Sequence, residues 1–292
     1  MSIASWKEVP TRLRSRTNTQ IRRSVGLTQE PPPRCSEPEH SYFPVNGASR
    51  LVHADLSSML AGGIASLFFQ MLHPHAMAGV ADHSRYQQDP LGRLLQTANF
   101  IGATTFGSKE TAYASIERVR AVHVAVRGIA DDGKPYDAND PHLLAWVHVA
   151  ETSMFLAGYQ RYGKRRIARS DADEYVREMA GLACDLGAEN PPTNLDELRI
   201  AIDRFRPELR LSPDGIAARD FLMDGFVKGV LPRMAYRLFV LGALDLLEPW
   251  ARQLLGVKES SWPRRLWVRG ATHVLSGLVR YFVPPPDRVT TP

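Results

Sequence analysis

Cysteine is nearly absent from this 292-residue chain: Cys35 and Cys184 are its only two. They lie far apart in unlike contexts, which argues against a disulfide framework and against a thiolate zinc site. Neither has the flanking pattern of a catalytic nucleophile. Long apolar runs are also missing. The stretches around residues 64–72 and 238–247 fall short of, or are too interrupted for, the ~20 residues a bilayer requires. No stable membrane insertion is therefore expected. The basic N-terminus runs into proline-rich polar sequence and not into an apolar core, so no secretory signal is read there and a cytoplasmic protein is expected. Phosphate-cradling glycine loops, a Walker loop and a Gly-x-Ser-x-Gly elbow are all absent. There is no internal repeat and no strand series that would build a sheet.

What is present is a chain with 44% hydrophobic residues, enough to bury a sizeable core as one large domain or two closely packed ones. The formal net charge of +5 is modest and unevenly spread. Lys7, Arg12, Arg14, Arg16, Arg22, Arg23 and Arg34 crowd the first stretch, and a second knot lies at Arg161, Lys164, Arg165, Arg166 and Arg169. No nucleic-acid module surrounds either run, so a solvated tail and a helix end, where cations complement the dipole, are the readings adopted. Nucleic acid is not an expected partner; homo-oligomerisation stays open.

Residues 1–45 read as a basic arm with a Pro31-Pro32-Pro33 run, residues 46–285 as one helical domain, and residues 286–292 as a tail. The expected fold class is all-α. Residues 51–72 predict a strongly apolar helix whose Gly62-Gly63 suggests close packing, ended by His73-Pro74, with His75 and His83 in the loop beyond. A helix over 91–106 follows, and Ser108 caps another over 109–129. Asp131-Asp132-Gly133-Lys134 reads as a turn or hairpin tip. Asp140-Pro141 opens a helix that runs to about Tyr162 and stops at Gly163. Ser170 and Asp173 resemble a capping box for a helix through Leu186, and Asn194 caps the next. Helical patterns then cover roughly 214–228, 231–256 and 263–282.

Six of the nine histidines lie between His73 and His148. His123 stands out, because Ala112, Ile116, Val119, His123 and Val126 form one apolar stripe at helical spacing. An unpaired polar group in such a stripe costs ~1–3 kcal/mol, so it needs a partner. A hydrogen-bonded core histidine is one answer and a metal ligand the other. Arg127, one turn further on, tips the reading towards an iron held by the imidazole with an anionic rim near the guanidinium, as haem would present. Arg127 paired with a carboxylate, or reaching solvent, is the rival. Arg93 and Thr97 share a helix face at i, i+4, suited to orienting dioxygen or a polar substrate group, or else to plain helix back-bonding. His148 and Glu151, at i, i+3, suggest a hydrogen-bonded pair supporting the site. Trp146 reads as core and His142 as surface.

The run His73-Pro74, Gly79 to Ser84, Asp89-Pro90, Arg93-Leu94 and Thr97, followed by Val119-Arg120-x-x-His123-x-x-x-Arg127-Gly128, Tyr136, Asp140-Pro141 and Trp146-Val147-His148, resembles one bacterial and fungal family. It is that of the mycophenolic-acid-pathway oxygenase, with the rubber oxygenase (latex-clearing protein) as a more distant relative. The similarity covers roughly residues 50–250. It implies an all-helical fold enclosing one b-type haem, with His123 as iron ligand, Arg127 four residues on, and Arg93 and Thr97 on the distal side. Where the rubber oxygenase carries a lysine before that threonine this chain has Gln96, which implies an open or water-bound sixth position.

The resemblance implies a haem b-dependent oxygenase using dioxygen on an apolar small molecule, such as an alkene or isoprenoid oxygenated or cleaved at a double bond. His123 and Arg127 would bind the haem, and Arg93, Thr97 and His148 would act in catalysis. The alternatives are a non-catalytic haem or gas sensor or hydrophobic-ligand carrier, and a structural helical protein whose His/Arg cluster is an internal network.

Overall fold

A computed structural model of the chain describes residues 18–19 and 34–284. Most of the expected arm and the whole tail at 286–292 lie outside the described residues. Twelve α-helices and one two-stranded hairpin follow from Ala48 onwards. In chain order they are α1 (Ala48–His53), α2 (Leu56–Gln70), α3 (Pro74–His83), α4 (Pro90–Phe106), α5 (Lys109–His123), β1 (Arg127–Ile129), β2 (Pro135–Asp137), α6 (Pro141–Tyr162), α7 (Arg169–Leu186), α8 (Leu195–Phe205), α9 (Pro213–Asp224), α10 (Val230–Leu246), α11 (Pro249–Leu254) and α12 (Trp262–Phe282). The fold is mainly helical, as the patterning predicts.

The centre of the fold is the pairing of α2 with α6. Small residues set its closeness: a Cβ built on Gly62 would stand 2.8 Å from the Met154 carbonyl, and one on Gly158 would stand 2.7 Å from the Ser58 carbonyl. Around this pair, α10 and α12 pack on α2, while α7 packs on α1 and α6. The α4–α5 hairpin of helices rests on α1 and α7. No single described helix is long and apolar enough to cross a membrane; α2 and α3 pass such a test only as a pair bent by 106°.

Several local expectations are corrected. The predicted helix over 51–72 is two helices, because Asp55 turns the chain and caps α2 by accepting from Ser57 and Ser58 N–H groups. The same carboxylate pairs at 3.1 Å with Arg280 of α12, joining the start of α2 to the end of the last described helix. His75 and His83 lie on α3 and not in a loop; Pro74 at its first position starts that helix. Ser170 does not cap α7. Ala168 takes the cap position, and Asp173 accepts instead from the Leu195 N–H at 2.9 Å. The 231–256 pattern is split at Glu248-Pro249, where proline cannot continue the ladder. Residues 34–45, within the expected arm, lie against the domain: Cys35 N–H donates to the Phe106 carbonyl at 2.7 Å and Phe43 is buried.

Candidate active site

Arg93 sits at the hub of a polar cluster drawn from four helices. Asp89 accepts from the Gly92 N–H and Pro90 follows at the first helical position, so α4 starts one turn before Arg93. The Arg93 guanidinium donates to the Thr97 hydroxyl at 2.6 Å. That hydroxyl in turn reaches the Arg93 carbonyl at 3.3 Å, back-bonding of the ordinary helical kind. The i, i+4 spacing thus becomes a direct contact.

Arg93 keeps substantial exposed surface, yet desolvation is the main influence lowering its pKa, opposed by the charge of Glu151 on α6. Leu67, on the central helix α2, is 44% exposed. Gly63, Leu67 and Gln70 share one face of α2 at i, i+4 and i+7, and the Gln70 amide meets the Glu151 carboxylate at 3.5 Å. Burial pushes the Glu151 carboxyl up to about 7, against the pull of Arg93 and Gln70.

His123 is the last residue of α5, and it lies within the electrostatic reach of Arg93 and of Asp137 on β2. Its Nδ1 is buried without a hydrogen-bond partner. Burial first, then Arg93, hold its pKa below the ordinary value, with Asp137 opposing. The imidazole is therefore neutral at pH 7, with a lone pair to offer. His148, on α6, is also buried. Its Nδ1 meets the Thr152 hydroxyl at 3.3 Å, its Nε2 has no partner, and burial lowers its pKa to about 4. The expected His148–Glu151 hydrogen bond is not made. Thr152, a full turn along α6, takes the imidazole, while Glu151 is drawn to Gln70 and Arg93.

Arg127 is not one turn further along the His123 helix. α5 ends at His123, because the β-branched run Val122, Val124 and Val126 with Gly128 favours extended backbone and β1 pairs with β2 in the register Arg127↔Asp137 and Gly128↔Tyr136. The Arg127 side chain is 60% exposed and its Nε pairs with Asp137 at 2.9 Å, the arrangement named as the rival reading. The Gly79–Ser84 run has a structural explanation here. Asp82 accepts from the Tyr136 hydroxyl, His83 Nε2 meets the Arg127 carbonyl at 3.2 Å, and His75 meets Asp132 at 3.2 Å, so α3 fixes the hairpin that follows His123. Gln96 is exposed. Trp146 is core, its indole N–H donating to the Gln70 carbonyl at 3.2 Å.

Sequence reasoning missed three participants. Gln70 is a lone amide closing an apolar helix, a signal that was legible. His53 is a fully packed imidazole bridging the Thr105 hydroxyl at 2.8 Å and the Tyr175 hydroxyl at 3.0 Å, and Tyr175 feels the charge of Glu151. A separate open cleft of about 440 Å³ lies elsewhere, lined by Arg219, Met223, Leu244, Arg252 and Arg265.

Residues 50–280 match the family described as ER-bound oxygenase mpaB/B′/rubber oxygenase, catalytic domain. The chain belongs to this family. It is accordingly an enzyme, an oxygenase. No curated protein and no solved structure matches it significantly.

Proposed function

We propose that this oxygenase is haem b-dependent and joins dioxygen to an apolar small molecule, by oxygenation or cleavage at a carbon–carbon double bond. The observation that carries the reading is the partnerless, neutral His123 nitrogen at the end of α5, within reach of the Arg93 charge. The donor set suits haem: an imidazole for the iron, a guanidinium and hydroxyl as polar groups, and exposed apolar surface such as Leu67 on α2. Bound there, haem would supply the electron chemistry that dioxygen requires.

The chain's own residues supply the rest. His123 would hold the iron. Arg93, which fixes the Thr97 hydroxyl, would stabilise negative charge as it develops on oxygen. Glu151, with its carboxyl near neutral pKa, is poised to hold or release a proton at working pH, and Gln70 positions it. His148 offers a second buried imidazole nitrogen, Nε2, without a partner. Arg127, at the exposed edge, would meet a haem carboxylate with the guanidinium nitrogens beyond its Asp137 contact.

The test is to incubate hemin-loaded protein with ¹⁸O-labelled dioxygen and a panel of alkenes and isoprenoids of graded length. Label in an aldehyde, ketone or epoxide product supports the reading. Full haem loading with no label in any product across the panel overturns it.

A further inference from the structure

We propose that His73, His142 and Glu208 form a second site, away from Arg93 and His123, that binds a divalent cation of the zinc class. The three come from separate elements: His73 precedes α3, His142 lies in the first turn of α6, and Glu208 closes the short 3₁₀ turn after α8. His142 Nε2 is 2.9 Å and His73 Nε2 is 3.6 Å from the same Glu208 oxygen. One ligand atom from each residue falls within 4.8 Å of the other two. Ligands at about 2.0–2.1 Å from a tetrahedral zinc stand about 3.3 Å apart, and the two distances to Glu208 fall on either side of that value. Two imidazoles and a carboxylate are a donor set zinc takes, leaving its fourth position open.

The second observation is His73 itself. Its side chain is 5% exposed, its Nδ1 has no hydrogen-bond partner, and its Nε2 stands 3.6 Å from a Glu208 oxygen that His142 already holds at 2.9 Å. A buried imidazole so weakly satisfied is costly, and the Nε2 that points at the Glu208 carboxylate gains a full partner if a cation lies between them. The exposed His142 and Glu208 open the site to solvent, which gives the ion an entry path and a water for its fourth position. The exposed trio Glu37, Glu39 and His40 also meets the distance condition, but no buried partnerless group points into it.

The consequence is a clip. Arg210 N–H already donates to the Leu72 carbonyl at 2.8 Å, and a cation would tie the same α2–α3 corner to the start of α6. The test dialyses the haem-loaded full chain against micromolar Zn²⁺ and counts bound zinc, beside His142→Gln, Glu208→Gln and His40→Gln; the two ligand positions are exposed, so these variants fold. The wild type and His40→Gln are expected to bind one zinc per chain. His142→Gln and Glu208→Gln should lose affinity by about a hundredfold or more, beyond what loss of an outer-shell partner costs. Stripping zinc should lower the melting temperature of the wild type and not of these two variants. Absence of stoichiometric zinc in the wild type, or loss in His40→Gln with retention in His142→Gln, overturns the site.

Discussion

The Arg93 guanidinium holds the Thr97 hydroxyl at 2.6 Å one turn along α4, and the same guanidinium is the charge that both Glu151 and His123 feel. One side chain thus sets the field for a carboxyl and an imidazole on two other helices. Thr97→Val keeps the shape and removes the hydroxyl. Stability should change by only about 1 kcal/mol, while turnover per haem should fall about ten- to a hundredfold. Arg93→Met should cost more, about a hundred- to a thousandfold, the scale for losing a group that stabilises developing charge. Steady-state kinetics normalised to haem content give both numbers. Unchanged turnover in Arg93→Met would remove it from the chemistry.

Glu151 gives a pH signature. Its folded pKa of about 7 lies above the ordinary carboxyl value near 4.5. Between these two the folded state binds more protons than the unfolded, so this residue makes stability fall as pH rises. Its cost is absent below pH ~4.5, grows through the window and is complete above pH ~7, on the order of 3 kcal/mol. Glu151→Gln should therefore be more stable than the wild type at pH 8, with the difference vanishing near pH 4.5. Denaturant titrations across that range measure it; a gap that widens towards acid would contradict the assignment.

Buried histidines act in the opposite direction. Burial lowers His53 to about 3 and His148 to about 4. A depressed imidazole must be charged on unfolding in acid, so stability is lost as pH falls from about 6.5 towards those values. His148→Gln should flatten this acid limb while preserving the hydrogen bond to Thr152. An acid limb of unchanged slope would show that His148 is not held neutral.

Gly158 tests the central helix pair. A methyl there meets the Ser58 carbonyl at 2.7 Å and Gly62 Cα at 2.8 Å, both backbone atoms that cannot swing away. Gly158→Ala should destabilise by about 1–3 kcal/mol. Gly181, on α7, has nothing within 4 Å of the same methyl, and Gly181→Ala should stabilise by up to about 1 kcal/mol through helix propensity alone. Thermal melts of the two variants moving in the same direction would contradict the packing.

Much of this was legible from residues with local causes. Asp140-Pro141 and Gly163 bound α6 as read, Asn194 caps α8, and Gly62 lies at a close helix contact. The errors arose where a long-range partner overrode a local pattern. α5 stops at His123 because β2 offers a ladder to Arg127; the hairpin tip read at 131–134 is borne out, but the helical stripe predicts helix through 124–129, which the hairpin takes instead. Asp173 leaves its expected cap for Leu195, more than twenty residues away. At the site, the Arg93–Thr97 contact followed from helical spacing. The Gln70–Glu151–Arg93 chain did not, since it joins three helices whose meeting is a property of the packed fold.

The central claim is that His123 carries the haem, and it is tested most directly by the absorbance spectrum and pyridine haemochrome of wild type and His123→Ala expressed with haem supplementation. His123 ends its helix and is half-buried, so the variant should fold, with a circular dichroism spectrum matching the wild type. The wild type is expected to show a Soret band and about one b-type haem per chain, and the variant to lose it. A folded His123→Ala that keeps full haem with an unshifted Soret band, or a wild type that stays colourless with added hemin, would contradict the account.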